Sequence, residues 1–263
     1  MRLRHIKNAE ELVYGIRYII NEKQADAEAV QFLCSNKPLY IEIGMGKGDF
    51  IKEAARKNPD INYIGIEKFA SIILKANTKV EGIEYDNLRF LCMDAKDLSN
   101  FFNEVKKKGD KAGVAKSEAC AEDVDGKSGA ADDKNNDYNG IKVDKIYLNF
   151  SDPWPKRKYE QRRLTSRTFL SIYKKILKDG ADVEFKTDNK DFFDYSIKSF
   201  KDNGWVIEEL NYDIHEIENL KGRLAQEGKT MEEYFATRLM TEYEKKFTKK
   251  GNKIGFLRAH PGA

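Results

Sequence analysis

Gly44, Gly46 and Gly48 stand between an apolar run and a helical pattern in Ile41-Glu42-Ile43-Gly44-Met45-Gly46-Lys47-Gly48-Asp49-Phe50. Glycines so placed let the backbone turn sharply and approach a ligand at the carboxyl ends of strands. A dinucleotide fingerprint needs its last glycine where this chain has Asp49, and no Gly-Lys-Ser/Thr follows to make a phosphate loop. Two carboxylates narrow the choice. Glu67 ends Tyr63-Ile64-Gly65-Ile66-Glu67, where an acid can accept both hydrogen bonds of a ribose diol. Asp94 follows Phe90-Leu91-Cys92-Met93, in place to accept from an exocyclic adenine amine. With Glu42 just before the turn, these acids ring a pocket for a cationic, adenosine-bearing ligand without phosphates, a description that S-adenosylmethionine fits.

Asn149-Phe150-Ser151-Asp152-Pro153-Trp154-Pro155-Lys156 bears on the reaction. Two prolines bracket Trp154 past a strand-like run, so the loop can hold an aromatic face and a carboxylate at fixed positions beside a reacting group. A planar base stacked on Trp154 would gain about 1 to 3 kcal/mol. Lys156, Arg157, Lys158, Arg162, Arg163 and Arg167 follow, diluted only by Glu160.

The elements that must position these residues alternate. Strands are predicted at Leu39–Ile43, Asn62–Ile66, Leu88–Cys92, Lys145–Phe150, Ala181–Lys186, Trp205–Leu210 and Asn252–Ala259. Helices are predicted at Asp49–Lys57, Phe69–Val80, Leu164–Leu177 and Asp191–Asp202, with Asp179-Gly180 closing the third. Alternation of this kind predicts an α/β fold, here a Rossmann-like, seven-stranded, mostly parallel sheet with helices on both faces. The rhythm fails between Lys106 and Val143, where eight Lys and eight Asp/Glu leave few large apolar side chains. Such a composition cannot offset its ordering entropy, so residues 106–143 are expected to be a mobile insertion in one domain spanning 1–263. A polar, mostly helical stretch is expected from about His215 to Phe247.

Cys34, Cys92 and Cys120 are odd in number, widely spaced and without a Cys-x-x-Cys pair, which points away from a disulfide scaffold or a zinc site and towards the cytoplasm. No apolar run approaches the ~18 residues of a membrane span, so no membrane partner is expected. The net charge of +3 at first argues against a nucleic-acid partner. Its distribution reverses that inference: residues 156–175 carry eight basic side chains against one acidic, residues 245–263 carry six against none, and the acids lie elsewhere.

Glu42-Ile43-Gly44-Met45-Gly46-Lys47-Gly48, Tyr63 to Lys68 and Tyr147 to Lys156 together resemble the bacterial tRNA (guanine-N7-)-methyltransferases, a class I S-adenosylmethionine-dependent family. The resemblance continues in order through Arg162-Arg163-Leu164-Thr165, Phe185-Lys186-Thr187-Asp188-Asn189 and Met240-Thr241-Glu242-Tyr243-Glu244-Lys245-Lys246-Phe247. It implies transfer of a methyl group to N7 of a guanine in the variable loop of tRNA, without a metal and without an obligatory protein partner, by a monomer or homodimer. It further implies cofactor contacts from Glu42, Gly44, Gly46, Gly48, Glu67, Asp94 and Asp152. Substrate contacts would come from Lys156, Asp188, Thr241, Glu242, Tyr243 and Glu244, and tRNA contacts from Lys158, Tyr159, Glu160, Gln161, Arg162 and Arg163. Asp152 and Asp188, with Glu244 a third candidate, are expected to support the methyl transfer. Residues 106–143 and a helical extension over 212–240 depart from the family pattern. Competing readings are a class I methyltransferase acting on an adenine or a protein amide, a non-catalytic tRNA-binding subunit, and a nicotinamide dehydrogenase. The order Asp152-Pro153-Trp154-Pro155, the intact acidic set and Asp49 respectively disfavour them.

Overall fold

Apolar runs of five to seven residues need cover on both sides, and the chain supplies it with helices that carry one apolar face each. The computed structural model describes residues 6–262 except 24, 81–83, 114–137, 217–221, 223, 226–227, 229, 231–238 and 249. In chain order the elements are α1 (Ala9–Leu12), β1 (Ile19–Ile20), α2 (Ala27–Leu33), β2 (Leu39–Ile43), α3 (Asp49–Lys57), β3 (Asn62–Glu67), α4 (Ala70–Asn77), β4 (Leu88–Cys92) and α5 (Leu98–Ala112). After them come β5 (Val143–Asn149), α6 (Arg167–Ile176), β6 (Leu177–Thr187), α7 (Lys190–Asp202), β7 (Trp205–Asn211), α8 (Glu242–Thr248) and β8 (Gly255–Pro261).

The strands form a single sheet in the order β1-β4-β3-β2-β5-β6-β8-β7, in which β8 runs antiparallel to both of its neighbours and the remaining pairs are parallel. Eight strands are present rather than seven. The additional one, β1, is two residues long and pairs Ile19 with Phe90 and Ile20 with Leu91. The order reverses between β2 and β5, and open α/β sheets bind ligands in the crevice beyond such a point.

Alternate residues of the central strands enter two cores. Ile41, Ile64, Ile146 and Phe185 pack with Phe102 of α5, Leu170 of α6 and Phe192 of α7, all fully or almost fully buried. Tyr63, Phe90 and Tyr147 point the other way, onto Phe50, Ile51 and Ala54 of α3 and Ile73 of α4. Burying each such Phe or Ile contributes about 1.5 to 3 kcal/mol, which fixes strand register and therefore the height at which each loop leaves the sheet.

Two expectations are corrected. The helix expected over Leu164–Leu177 begins at Arg167 and stops at Ile176. Gly180, in the left-handed region at φ +74°, lies within β6 rather than closing the helix. Residues 106–112 belong to α5, because Val105 and Gly109 complete its buried face with Phe101 and Phe102 while the lysines point outward. At the other end of the expected insertion, the Tyr138 hydroxyl donates to the Ile141 carbonyl at 2.8 Å, and Ile141 and Val143 are buried. Residues 114–137 and most of 212–240 lie outside the described residues, as does Cys120, whereas Cys34 is buried and Cys92 half-buried. Among the described residues no helix is long and apolar enough to cross a membrane.

Candidate active site

A cavity of about 610 Å³ opens where the strand order reverses. Ile43, Ile66, Ile72, Met93 and Phe169 give it an apolar lining, and Glu67, Asp94 and Asp152 place three carboxylates around it. The volume and the few convergent polar groups are those of a small-molecule site. Gly44, Gly46 and Gly48 all adopt left-handed conformations, at φ +76°, +56° and +70°. The turn they make is pinned by the amides of Gly44 and Met45, which donate to the Ile66 carbonyl at 2.8 and 3.0 Å. Gly44 lines the cavity, Gly46 donates its amide to Glu67 Oε2 at 3.3 Å, and Gly48 caps α3. Gly65, which sequence reasoning passed over, packs closely here too, since a Cβ on it would meet Met45 Sδ and force that side chain to shift.

Each acid is held differently. Glu67 also accepts from the Phe69 amide at 3.1 Å and is 9% exposed; burial pushes its carboxyl above the usual range, opposed by the amides of Phe69 and Gly46. Burial also pushes Asp94 up, but the Lys68 ammonium at 2.7 Å and the Lys96 amide at 3.1 Å outweigh it and leave the carboxyl below its ordinary value. Glu42 does not line the cavity. It is 2% exposed beneath the glycine turn, where Oε1 accepts from Asn149 Nδ2 at 2.9 Å, and burial pushes its carboxyl up to about 8. Phe69, expected on the buried face of a helix, is instead 58% exposed at the cavity rim, because α4 begins only at Ala70.

The loop after β5 is strained on both sides of Asp152. Phe150 and Trp154 hold φ of +52° and +41°, conformations that cost a side-chain-bearing residue of order 1 to 3 kcal/mol each. Arg163 clamps the loop: its Nε donates to the Pro153 carbonyl at 2.9 Å and an Nη to the Trp154 carbonyl at 3.1 Å, while its guanidinium lies 4.1 Å from the Tyr195 ring centre. Its neighbour Arg162 turns to the cavity and sits 5.0 Å over the Trp154 ring and 4.5 Å over Tyr159. Of the stretch expected to touch tRNA, Lys158, Glu160 and Gln161 are exposed, Glu160 accepting from the Tyr195 hydroxyl at 3.1 Å, and Lys156, expected to meet the substrate, is exposed as well.

Asp188 lies between the end of β6 and Asn189, whose Oδ1 accepts from the Phe192 amide at 2.8 Å to cap α7. It does not line the cavity but reaches its edge through aromatics. The Tyr243 hydroxyl bonds to Asp188, and burial, with the charge of that carboxylate, pushes the phenol above its ordinary value. The Tyr243 ring stands 4.8 Å from Phe150, which lines the cavity. Tyr243 is 42% exposed; Thr241 is buried, its hydroxyl accepting from the Glu244 amide at 2.8 Å; Glu242 opens α8. The implied substrate role of Glu244 is not what the structure gives. Glu244 is fully buried and pairs with Lys186 Nζ at 3.0 Å, with His215 Nε2 3.2 Å away. No sequence pattern marks this pair, because its members are 58 residues apart.

The chain matches a family described as "Putative methyltransferase" over residues 36–109 and 135–257. A tRNA (guanine-N(7)-)-methyltransferase of Geobacillus sp. (strain WCH70) is 38% identical over 256 residues, covering 97% of this chain and 93% of that protein. A tRNA (guanine-N(7)-)-methyltransferase of Lachnoclostridium phytofermentans is 37% identical over 255 residues, covering 97% and 95%. Among solved structures, an antibiotic-related methyltransferase superposes with a TM-score of 0.52 at 15% identity over 92% of this chain and 98% of its own. The 16S rRNA methyltransferase KamB does so with 0.52 at 12% over 93% and 99%. At such identities these two structures speak to the fold, a Rossmann-like class I methyltransferase sheet.

Proposed function

The chain belongs to the tRNA (guanine-N7-)-methyltransferase family, and from that membership we infer that it transfers a methyl group from S-adenosylmethionine to N7 of a guanine in tRNA. The observation that supports placing the chemistry here is the strained loop, which presents Asp152 to a cavity that Glu67 and Asp94 also line.

The residues present fit the cofactor. Glu67 is fixed by two backbone amides with lone pairs left for a ribose diol, Asp94 and Phe69 offer an acceptor and an apolar face to an adenine, and no phosphate cradle is required. Glu42 acts from beneath, setting Asn149 at the end of β5 rather than touching the ligand. When bound, S-adenosylmethionine supplies a methyl on a cationic sulfur, electrophilic without further activation.

Guanine N7 has a lone pair in the ring plane and no proton, so none of these side chains has to act as a general base. The protein's work is alignment, exclusion of water and charge. Phe150, Trp154 and Tyr243 wall the space beside Asp152, and a base held there presents N7 towards the cavity. Positive charge grows on the purine as the bond to N7 forms. Asp152 and Asp188 then act as fixed negative partners, and as acceptors for the guanine N1–H and N2–H₂ that determine which edge faces the methyl. Lys156 and Lys158 meet phosphates outside the rim. The target guanine lies in the tRNA variable loop, and the site of action is the cytoplasm.

Single-turnover methylation at saturating tRNA and cofactor tests these roles. Asp152→Asn is expected to lower the rate by about 10²- to 10³-fold and Asp188→Asn by at least tenfold, with Tm unchanged. Wild-type rates in both variants would remove the electrostatic assignment.

A further inference from the structure

The basic stretch after the loop divides between two cavities. Arg162 faces the first, whereas Arg163 lines a second groove of about 820 Å³ that shares the Pro153-Trp154-Pro155 loop as a wall. This groove draws Arg157 and Arg163 from the loop region, Arg167 from the start of α6, and Tyr195 and Lys198 from α7. Two acids also line it, and both are already engaged: Glu160 accepts from the Tyr195 hydroxyl at 3.1 Å, and Asp202 pairs with Lys198 at 2.6 Å. Arg163 is held to the loop carbonyls. Arg157 and Arg167 are exposed, and neither forms an ion pair among the described residues. Four basic groups therefore face two acids in one concave surface, with two guanidinium forks left free at its edge.

We propose that this groove holds the sugar–phosphate backbone of the tRNA strand flanking the target guanine, with Arg157 and Arg167 as its phosphate-binding forks. The proposal rests on the tRNA reading above and extends it across α6 and α7, beyond the Lys158–Arg163 stretch. Three features favour a phosphate backbone. Guanidinium forks match phosphate oxygens bidentately. Of the groove's acids, Asp202 is paired with Lys198 and Glu160 is turned to the Tyr195 hydroxyl, so three arginines outnumber the one acid without an ion pair. A strand whose base enters the first cavity must pass the loop that forms the wall of the second. Because Arg163 belongs to the groove and also clamps the loop, a backbone seated there presses on the element that carries Asp152.

The test is equilibrium binding of an unmodified tRNA transcript by the full chain across a series of KCl concentrations. Arg167→Glu and Arg157→Glu are each expected to weaken binding about tenfold or more at low salt and to reduce the log–log salt slope by about 1, with S-adenosylmethionine affinity unchanged. Lys107→Glu, an equal charge change on α5, is expected to leave both quantities at wild-type values. Wild-type protein that binds tRNA while both groove variants keep its affinity and slope overturns the groove alone, as does an equal loss in Lys107→Glu. Wild-type protein without affinity for tRNA overturns the groove and the tRNA reading together.

Discussion

The acids of the site share a chemistry but not an environment. Glu67 and Asp94 face the ligand cavity with their oxygens oriented by amides and a lysine, Asp152 stands exposed on a strained turn, and Glu42 is enclosed. Their sequence positions gave no sign of how deeply each is enclosed, because a strand end is the only local signal each carries. What separates them is the depth to which neighbouring elements cover each end, and that is a tertiary property. Glu42 offers a measurable consequence. Its carboxyl titrates near 8 in the folded protein against an ordinary value of 4.5, so between those pH values the native state holds a proton that the unfolded chain has released. Stability therefore falls as pH rises through this window, by at most about 1.4 kcal/mol per pH unit from this group, and levels off above it. Thermal unfolding from acid to alkaline pH checks this: Glu42→Gln should flatten the decline and melt higher than wild type above pH 8. An unchanged slope would show that Glu42 titrates normally.

At the level of elements, the loop after β5 and helix α8 make the site from parts distant in sequence. The Phe-Ser-Asp-Pro-Trp-Pro-Lys run was legible as a rigid loop, yet its left-handed Phe150 and Trp154, and the role of Arg163 in holding them, were not. An arginine in a basic run reads as an RNA contact until a carbonyl is seen to claim it. Arg163→Ala should let the loop relax, lowering the single-turnover rate at least tenfold while cofactor affinity stays within threefold of wild type. Equal rates in the two proteins would mean that the loop keeps its shape without the clamp. The pairing of Lys186 with Glu244 likewise converts a residue of an implied substrate motif into the anchor that seats α8 on β6, so that Tyr243 meets Asp188 and Phe150. Removing one partner of a buried pair costs about 3 to 5 kcal/mol, which suits an anchor better than a group exchanged with solvent at each turnover. Elsewhere, periodicity located every long strand but missed β1, whose two residues are too few to show a period. It also missed α5, where lysines on the exposed face mask the buried spacing of Phe101, Phe102, Val105 and Gly109.

Across the whole molecule, a net charge of +3 conceals a local excess of basic groups. Basic groups from the loop, α6 and α7 converge beside the cavity, while acids such as Glu42, Glu67 and Glu244 are buried. The sheet's reversal point gathers the residues proposed to hold the cofactor, the antiparallel β8 lies between β6 and the edge strand β7, and α8 brings the second aromatic wall to the rim. The measurement that tests this account most directly is incubation of the purified protein with methyl-labelled S-adenosylmethionine and unmodified total tRNA, followed by digestion to nucleosides. Label recovered in 7-methylguanosine, and lost with Asp152→Asn, is the predicted result. Label in a methyladenosine, or none in tRNA while the protein binds the cofactor, would contradict it.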